Sequence, residues 1–223
     1  MIPDLMPILS KGSHRSPRDG ACIMEMASFL SGATWSDSPP CTHPVLAKAA
    51  QVVNDRLSDD ERHVLLPLLP RLMGTAPTGT EYERHVLSVR LAVWCGRHVL
   101  PMTLESDRAA CERALARAAA WCRGEATGQE CRAAAAYTAR YAAAAYAAIN
   151  AAYAASAAAS VAAYTSAAAN AAAYTAYTYA PCADADLVAF LTGLLDEHDR
   201  LTARTHVEPI TDDQHAALVA LTI

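Results

Sequence analysis

The sequence lacks several patterns, and each absence excludes a class of protein. No segment of the 223 residues alternates apolar and polar side chains as a half-buried β-strand does. The glycine-rich phosphate loop, the nucleophile elbow of the α/β-hydrolases and the HExxH zinc motif are all missing. The sequence therefore predicts an all-α, multi-helix domain and contains no motif that identifies an enzyme class.

Positive charge is also scarce. Lys11 and Lys48 are the only lysines, and the formal net charge is −5 at pH 7. A chain with a net negative charge has no general attraction to nucleic acid or to anionic membranes. We therefore expect no nucleic-acid partner and no membrane partner.

Export signals and disulfide patterns are missing as well. The first twenty residues, MIPDLMPILSKGSHRSPRDG, lack a basic start followed by a long apolar core and a cleavage site. The seven cysteines are irregularly spaced, and their odd number favours reduced thiols over a disulfide framework. These features predict a cytoplasmic protein, and no residue pattern requires a cofactor.

Glycine and proline divide the chain into four predicted segments. Residues 1–18 are expected to form an irregular N-terminal arm, and residues 19–128 a helical domain. Residues 129–180 form a predicted Ala/Tyr-rich helical segment. Residues 181–223 are predicted to be C-terminal helices that pack on the same domain.

Local sequence signals predict where several helices begin. Asp19 is expected to cap the first helix, and Ser58 to begin a capping box. Thr80 is expected to open a helix from Glu81 to Val99.

The alanine-rich tract is the most unusual part of the chain. Between Ala133 and Ala173, 26 of 41 residues are alanine, the best helix former. One helix from Gln129 to Tyr179 would be about 75 Å long, whereas a compact domain of this size is only about 45 Å across. The tract therefore projects as a rod or folds into a hairpin, with bends expected near Asn150, at Ser156–Ser160 or near Asn170. Its polar interruptions argue against a membrane span.

Three tyrosines of this tract share one helical face. At 100° per residue, Tyr146, Tyr153 and Tyr164 fall within about 20° of one another. The tract lacks the charged outer face of a solitary surface helix, which favours packing on both sides by the same chain or by another. Because tyrosine supplies contact area and a polar tip, these three are the predicted interaction residues. The alternative is low-complexity sequence without a function.

Residues 16–75 contain a series of short motifs: DGAC and ME within 19–25, WSD at 35–37, CTHP at 41–44, VND at 53–55 and PLLPRLMGT at 67–75. This segment resembles a family of actinobacterial and actinophage proteins to which no activity is assigned. The resemblance implies an actinobacterial or phage context and no mechanism. The scarcity of lysine and the excess of alanine, both typical of GC-rich coding DNA, fit that context.

The same segment gathers five potentially reactive residues. Cys22 and Glu25 are three apart and share a helix face, and the loop with Cys41 and His43 would fold back onto it. Cys22, Glu25, Cys41 and His43 would then suit zinc, while Cys41, His43 and Asp19 would suit a nucleophilic site. The structural alternative makes Cys22 a core residue, Asp19 a helix cap and His43 a hydrogen-bonded residue at the next helix start. We favour it because free cysteine is usually buried.

Taken together, these patterns predict a non-catalytic helical protein that binds a protein partner or forms a homo-oligomer. The alternative is a small enzyme or metal-binding protein that uses the Cys/His/Glu cluster near residues 19–43.

Overall fold

The computed structural model describes residues 7–141, 146–160, 163–179 and 183–204, and these residues form nine α-helices and no β-strand. The predicted all-α fold class is confirmed. The helices are α1 (Ile23–Leu30), α2 (Pro44–Arg56), α3 (Leu69–Met73), α4 (Glu81–Val99), α5 (Glu105–Cys122), α6 (Gly128–Tyr141), α7 (Tyr146–Ala159), α8 (Tyr164–Thr178) and α9 (Asp184–Thr202).

The described chain divides into two compact units, and the first contains residues 7–76 and 183–204. Helix α2 packs against both α1 and α9, and α1 also packs against α3. The core of this unit consists of large side chains. Those that are fully buried include Ile23, Met24, Met26, Leu46, Leu65, Leu66, Leu69, Leu72, Leu187 and Phe190.

The second unit, which lies between residues 77 and 179, is a bundle of the five helices α4–α8. Helix α7 lies at its centre and packs against α4, α5, α6 and α8. Its buried side chains include Ala151, Ala154, Ala155, Ala157 and Ala158. Because the distance between packed helices depends on the side chains at the contact, alanine lets four neighbours surround α7 closely. This position explains why α7 carries no charged outer face.

The alanine-rich tract forms three helices instead of one rod. Helix α7 ends at Ala159 and α8 begins at Tyr164, so the division lies beside the predicted bend at Ser156–Ser160. Asn150 and Asn170, the other predicted bends, lie inside helices. Helix α7 packs against both α6 and α8, so the tract folds back on itself. In the part of the chain that the structure describes, no helix is both long enough and apolar enough to cross a membrane.

The helix starts agree with the sequence prediction at α4 and differ at α1. At α4, Thr80 Oγ1 accepts a hydrogen bond from Glu83 N at 3.2 Å, and Glu83 Oε2 accepts one from Thr80 N at 2.7 Å. This capping box confirms the predicted start. Helix α1 begins later than predicted, because its N-cap is Cys22 and not Asp19. Asp19 instead ends a short 3₁₀ turn, where its Oδ2 accepts from Ser16 Oγ at 2.9 Å.

Ser58 does not form the predicted capping box. The residues after it form a 3₁₀ turn at Arg62–Leu68, which contains Pro67. The backbone N and the Oγ of Ser58 donate instead to Asp184 Oδ2, at 3.2 and 2.9 Å. A contact between the end of α2 and the start of α9 therefore takes the place of a local cap.

Gly96 lies where α4 approaches its neighbours in the bundle. A Cβ at this position would overlap Leu115 Cδ2 and lie 2.6 Å from Asn150 Oδ1, and both of those side chains are buried. We therefore expect Gly96→Ala to lower the free energy of unfolding of the bundle by about 1–3 kcal/mol, the usual cost of overpacking. Urea denaturation measures the change. Leu115→Val should restore part of the loss, whereas a more stable Gly96→Ala variant would contradict the close approach.

Candidate functional sites

Cys22 and Glu25 meet, as predicted from their spacing, but they form a helix cap. Cys22 Sγ accepts a hydrogen bond from Glu25 N at 3.4 Å, and Glu25 Oε2 accepts one from Cys22 N at 2.8 Å. Burial raises the pKa of the Cys22 thiol to about 12. The thiol is therefore protonated at neutral pH, a state that neither ligates a metal nor acts as an efficient nucleophile.

His43 begins α2. Its Nδ1 accepts a hydrogen bond from Val45 N at 3.3 Å, and its backbone N donates to Thr75 Oγ1 at 2.9 Å. Its ring lies against that of His198, with 5.9 Å between the centroids. Burial, followed by the neighbouring His198, lowers the pKa of His43 to about 3. At neutral pH this side chain is an uncharged helix cap.

The residues of the predicted metal site are not assembled into one, and the nucleophilic site of Cys41, His43 and Asp19 stays a prediction. Cys41 is half-buried, with its Sγ 3.7 Å from Thr42 Oγ1, and Asp19 is exposed. Within the described ranges, no group of three or more histidine, cysteine or acidic side chains is placed to hold a metal ion. Cys22, Glu25 and His43 contribute to the starts of α1 and α2.

Glu25 belongs to a different cluster, which we call the Ser–His–Glu array and which consists of Ser10, His14 and Glu25. Glu25 Oε2 lies 2.8 Å from His14 Nδ1, and His14 Nε2 lies 2.8 Å from Ser10 Oγ. Glu25 Oε1 also accepts a hydrogen bond from the His14 backbone N at 2.6 Å. The Glu25 side chain is 2% exposed and that of His14 is 12% exposed. A buried carboxyl group, an imidazole and a hydroxyl group thus form one continuous hydrogen-bonded series.

Backbone contacts hold this array in place. Ser10 N donates to Ala21 O at 2.8 Å as part of a short parallel bridge. Asn54 Nδ2, on α2, donates to Ser10 O at 2.9 Å, and Trp35 Nε1 donates to His14 O at 2.8 Å. Because the backbone is fixed at both Ser10 and His14, their side chains are positioned before any ligand arrives.

Gly20 leaves the space in which Ser10 and His14 meet. Its φ of 108° lies in the region that favours glycine. A Cβ at this position would overlap Ser10 Oγ and lie 3.3 Å from His14 Nε2. Position 20 therefore requires glycine both for its backbone conformation and for the space that it leaves open.

Sequence reasoning identified Glu25 but missed Ser10 and His14. Both lie in the predicted irregular arm, where no helix or strand periodicity indicates which side chains meet. The array forms because the arm pairs with Ala21 and returns to α1. The only sequence feature that pointed to the array is that a serine and a histidine precede Glu25 in the chain.

The second candidate site is a groove of about 800 Å³ on the α4–α8 bundle, which we call the α6–α8 groove. Residues of α6, α7 and α8 line it, together with the segment between α7 and α8. Among the residues that the structure describes, thirteen line this groove; seven of them are alanine, and one, Arg132, is charged. The guanidinium of Arg132 donates to Ala159 O at 2.7 Å.

The three predicted interaction tyrosines differ in their surroundings. Tyr153 lines the α6–α8 groove and stacks on Tyr174, with 5.5 Å between the ring centroids. Tyr164 stacks on His85 at 4.3 Å. Tyr146 begins α7, and its side chain lies outside the described part of the structure. Tyr153 and Tyr164 thus contact their own bundle, while contact with another chain stays a prediction.

Comparison with protein-family models, with curated proteins and with solved structures finds no match to this chain. The resemblance of residues 16–75 to actinobacterial and actinophage proteins stays a prediction. The Ser–His–Glu array and the α6–α8 groove are the two features on which function can be argued.

Proposed function

We propose that this protein is a helical interaction protein that associates with a second copy of itself through the α6–α8 groove. The observation that carries this proposal is an open, alanine-lined groove, two of whose three helices, α7 and α8, contain no charged residue. From Tyr141 to Tyr179 the chain contains no aspartate, glutamate, lysine or arginine. Removing charged groups from water is the costliest part of burying a polar surface. A helix that packs against α7 and α8 would not incur this cost.

A second copy suits this groove because α6 presents small, uncharged and exposed side chains along it. Ala136 and Ala139 on α6 are exposed and line the groove. Small side chains allow the axes of two helices to approach closely. In an isologous pair, α6 of each copy would lie in the groove of the other, and Tyr153 would add contact area with a polar tip.

The setting we propose is the cytoplasm of an actinobacterium or of a cell infected by its phage. In support, the six cysteines in the described ranges are all free thiols: Cys22, Cys41, Cys95, Cys111, Cys122 and Cys131. The net charge of −5 is the reason that we propose a protein partner and not a nucleic acid.

Ala136→Glu tests the self-association. We expect the wild-type protein to sediment as a dimer and the variant as a monomer, because the longer, charged side chain would prevent a second helix from approaching the alanine-lined groove closely. Ala136 is exposed in the single chain, so the variant should fold normally. Sedimentation equilibrium measures the mass, and circular dichroism checks the fold.

Ala133→Glu is the matched control. Ala133 is also an exposed alanine of α6, but it lines the neighbouring groove between α5 and α6. This variant should sediment like the wild type. A monomeric wild-type protein would refute self-association through this groove, and so would a dimer that both substitutions dissociate equally.

A further inference from the structure

We propose a second function, which is independent of self-association: the Ser–His–Glu array hydrolyses small carboxylic esters, with Ser10 as the nucleophile. Ser10, His14 and Glu25 are connected in the order nucleophile, general base and orienting carboxylate, which is the arrangement that activates a serine. Both connecting distances are 2.8 Å, within the range for proton transfer between hydrogen-bonded groups.

The hydrogen bonds select the productive tautomer of His14. A neutral imidazole carries one proton. Glu25 Oε2 accepts the Nδ1–H, so Nε2 has a lone pair available to accept the Ser10 hydroxyl proton. Glu25 itself is fixed by backbone donors at His14 N and Cys22 N, at 2.6 and 2.8 Å. Glu25 is therefore a positioning residue for the base.

The surroundings of Ser10 indicate the class of substrate. Ser10 is half-buried, and Ile8, two residues before it, is 55% exposed. The backbone of Gly20 lies against one side of Ser10 Oγ. A bulky acyl group would collide with that backbone, so the site suits an ester with a short acyl chain that approaches from the solvent side.

The reaction proceeds in two balanced steps. In the first, Ser10 Oγ bonds to the carbonyl carbon, its proton passes to His14 Nε2, and the proton then goes to the departing alcohol as the ester C–O bond breaks. In the second, water attacks the acyl-serine and gives a proton to His14 Nε2, which returns it to Ser10 Oγ as the carboxylic acid leaves. Ester and water become acid and alcohol, without any change in oxidation state.

The test combines covalent labelling of Ser10 with a measurement of the rate of ester hydrolysis. A fluorophosphonate probe should label the full-length wild-type chain at Ser10, as located by peptide mass spectrometry, with fluoride as the leaving group. The chain should also hydrolyse p-nitrophenyl acetate. His14→Gln should lower that rate by about 10²–10⁴-fold, the usual contribution of a general base, and Ser10→Ala should reduce labelling to background.

Ser13→Ala is the matched control, since Ser13 lies in the same arm, is exposed and is not part of the array. Its labelling and rate should equal those of the wild type. Circular dichroism shows whether each variant is folded, and the location of the label in the wild-type chain requires no variant. A wild-type chain that is unlabelled at Ser10, or a folded Ser10→Ala variant that keeps the full rate, would overturn the proposal.

Discussion

Replacing both Tyr153 and Tyr164 by serine is expected to lower the free energy of unfolding of the α4–α8 bundle by about 3–5 kcal/mol. Deletion of one fully buried large aromatic side chain costs about this much, and each of these tyrosines is half-buried and stacked on another ring. The effect is large because alanine, which forms most of α7, buries little apolar area per residue. Urea denaturation followed by circular dichroism measures the loss.

Tyr137→Ser provides the control for this pair. Tyr137 lies on α6 and is 45% exposed, and the guanidinium carbon of Arg113 lies 4.8 Å from the centre of its ring. Its removal is expected to cost about 0.5–1 kcal/mol, the value of an exposed cation–π contact. If the double variant loses no more stability than this control, the tyrosines do not anchor the bundle. The alanine tract would then be better described as low-complexity sequence.

The helical character of the alanine tract was predictable because it is a local property. Alanine has the highest helix propensity, and no glycine or proline interrupts the tract between Gly128 and Pro181. The absence of a charged face correctly indicated that neighbours cover it. The identity of those neighbours was not predictable, since α4 and α5 reach α7 through contacts between segments far apart in the sequence.

Helix starts show a similar division between local and non-local causes. The capping box of Thr80 and Glu83 depends only on two residues three apart in the sequence, so the sequence was enough to predict it. Asp19 had the right side chain for a cap, but Gly20 follows it with a φ of 108° and turns the backbone away from a helix. The boundary between Ala76 and Pro77 was also missed, because the composition does not change there.

The candidate sites were only partly predictable for the same reason. The spacing of Cys22 and Glu25 predicted their contact. The partners of Glu25 on its other side come from the arm, and nothing in the spacing of Ser10 and His14 shows that this arm returns to α1. Polar clusters that join separate segments require the fold before they can be recognised.

Acidification is expected to destabilise the first unit through His43. The pKa of this residue is lowered from 6.5 to about 3, first by burial and then by His198. The unfolded chain therefore binds a proton more readily than the folded one, and stability falls as the pH decreases below 6.5 towards 3. The binding of one proton changes the free energy of unfolding by about 1.4 kcal/mol per pH unit. Between pH 6.5 and 3 the total loss of stability is therefore about 3–5 kcal/mol. Urea denaturation in a series of buffers measures it.

His43→Asn isolates this contribution, because asparagine is a preferred N-cap and does not titrate. The Asn side chain can accept the hydrogen bond from Val45 N that His43 Nδ1 accepts in the wild type. Protonation of His43 would remove that acceptor and place a positive charge at the N-terminus of α2, where the helix dipole disfavours it. We therefore expect the variant to lose stability less steeply below pH 6.5. An equally steep loss would assign the acid sensitivity to other groups, such as His198, whose pKa burial also lowers.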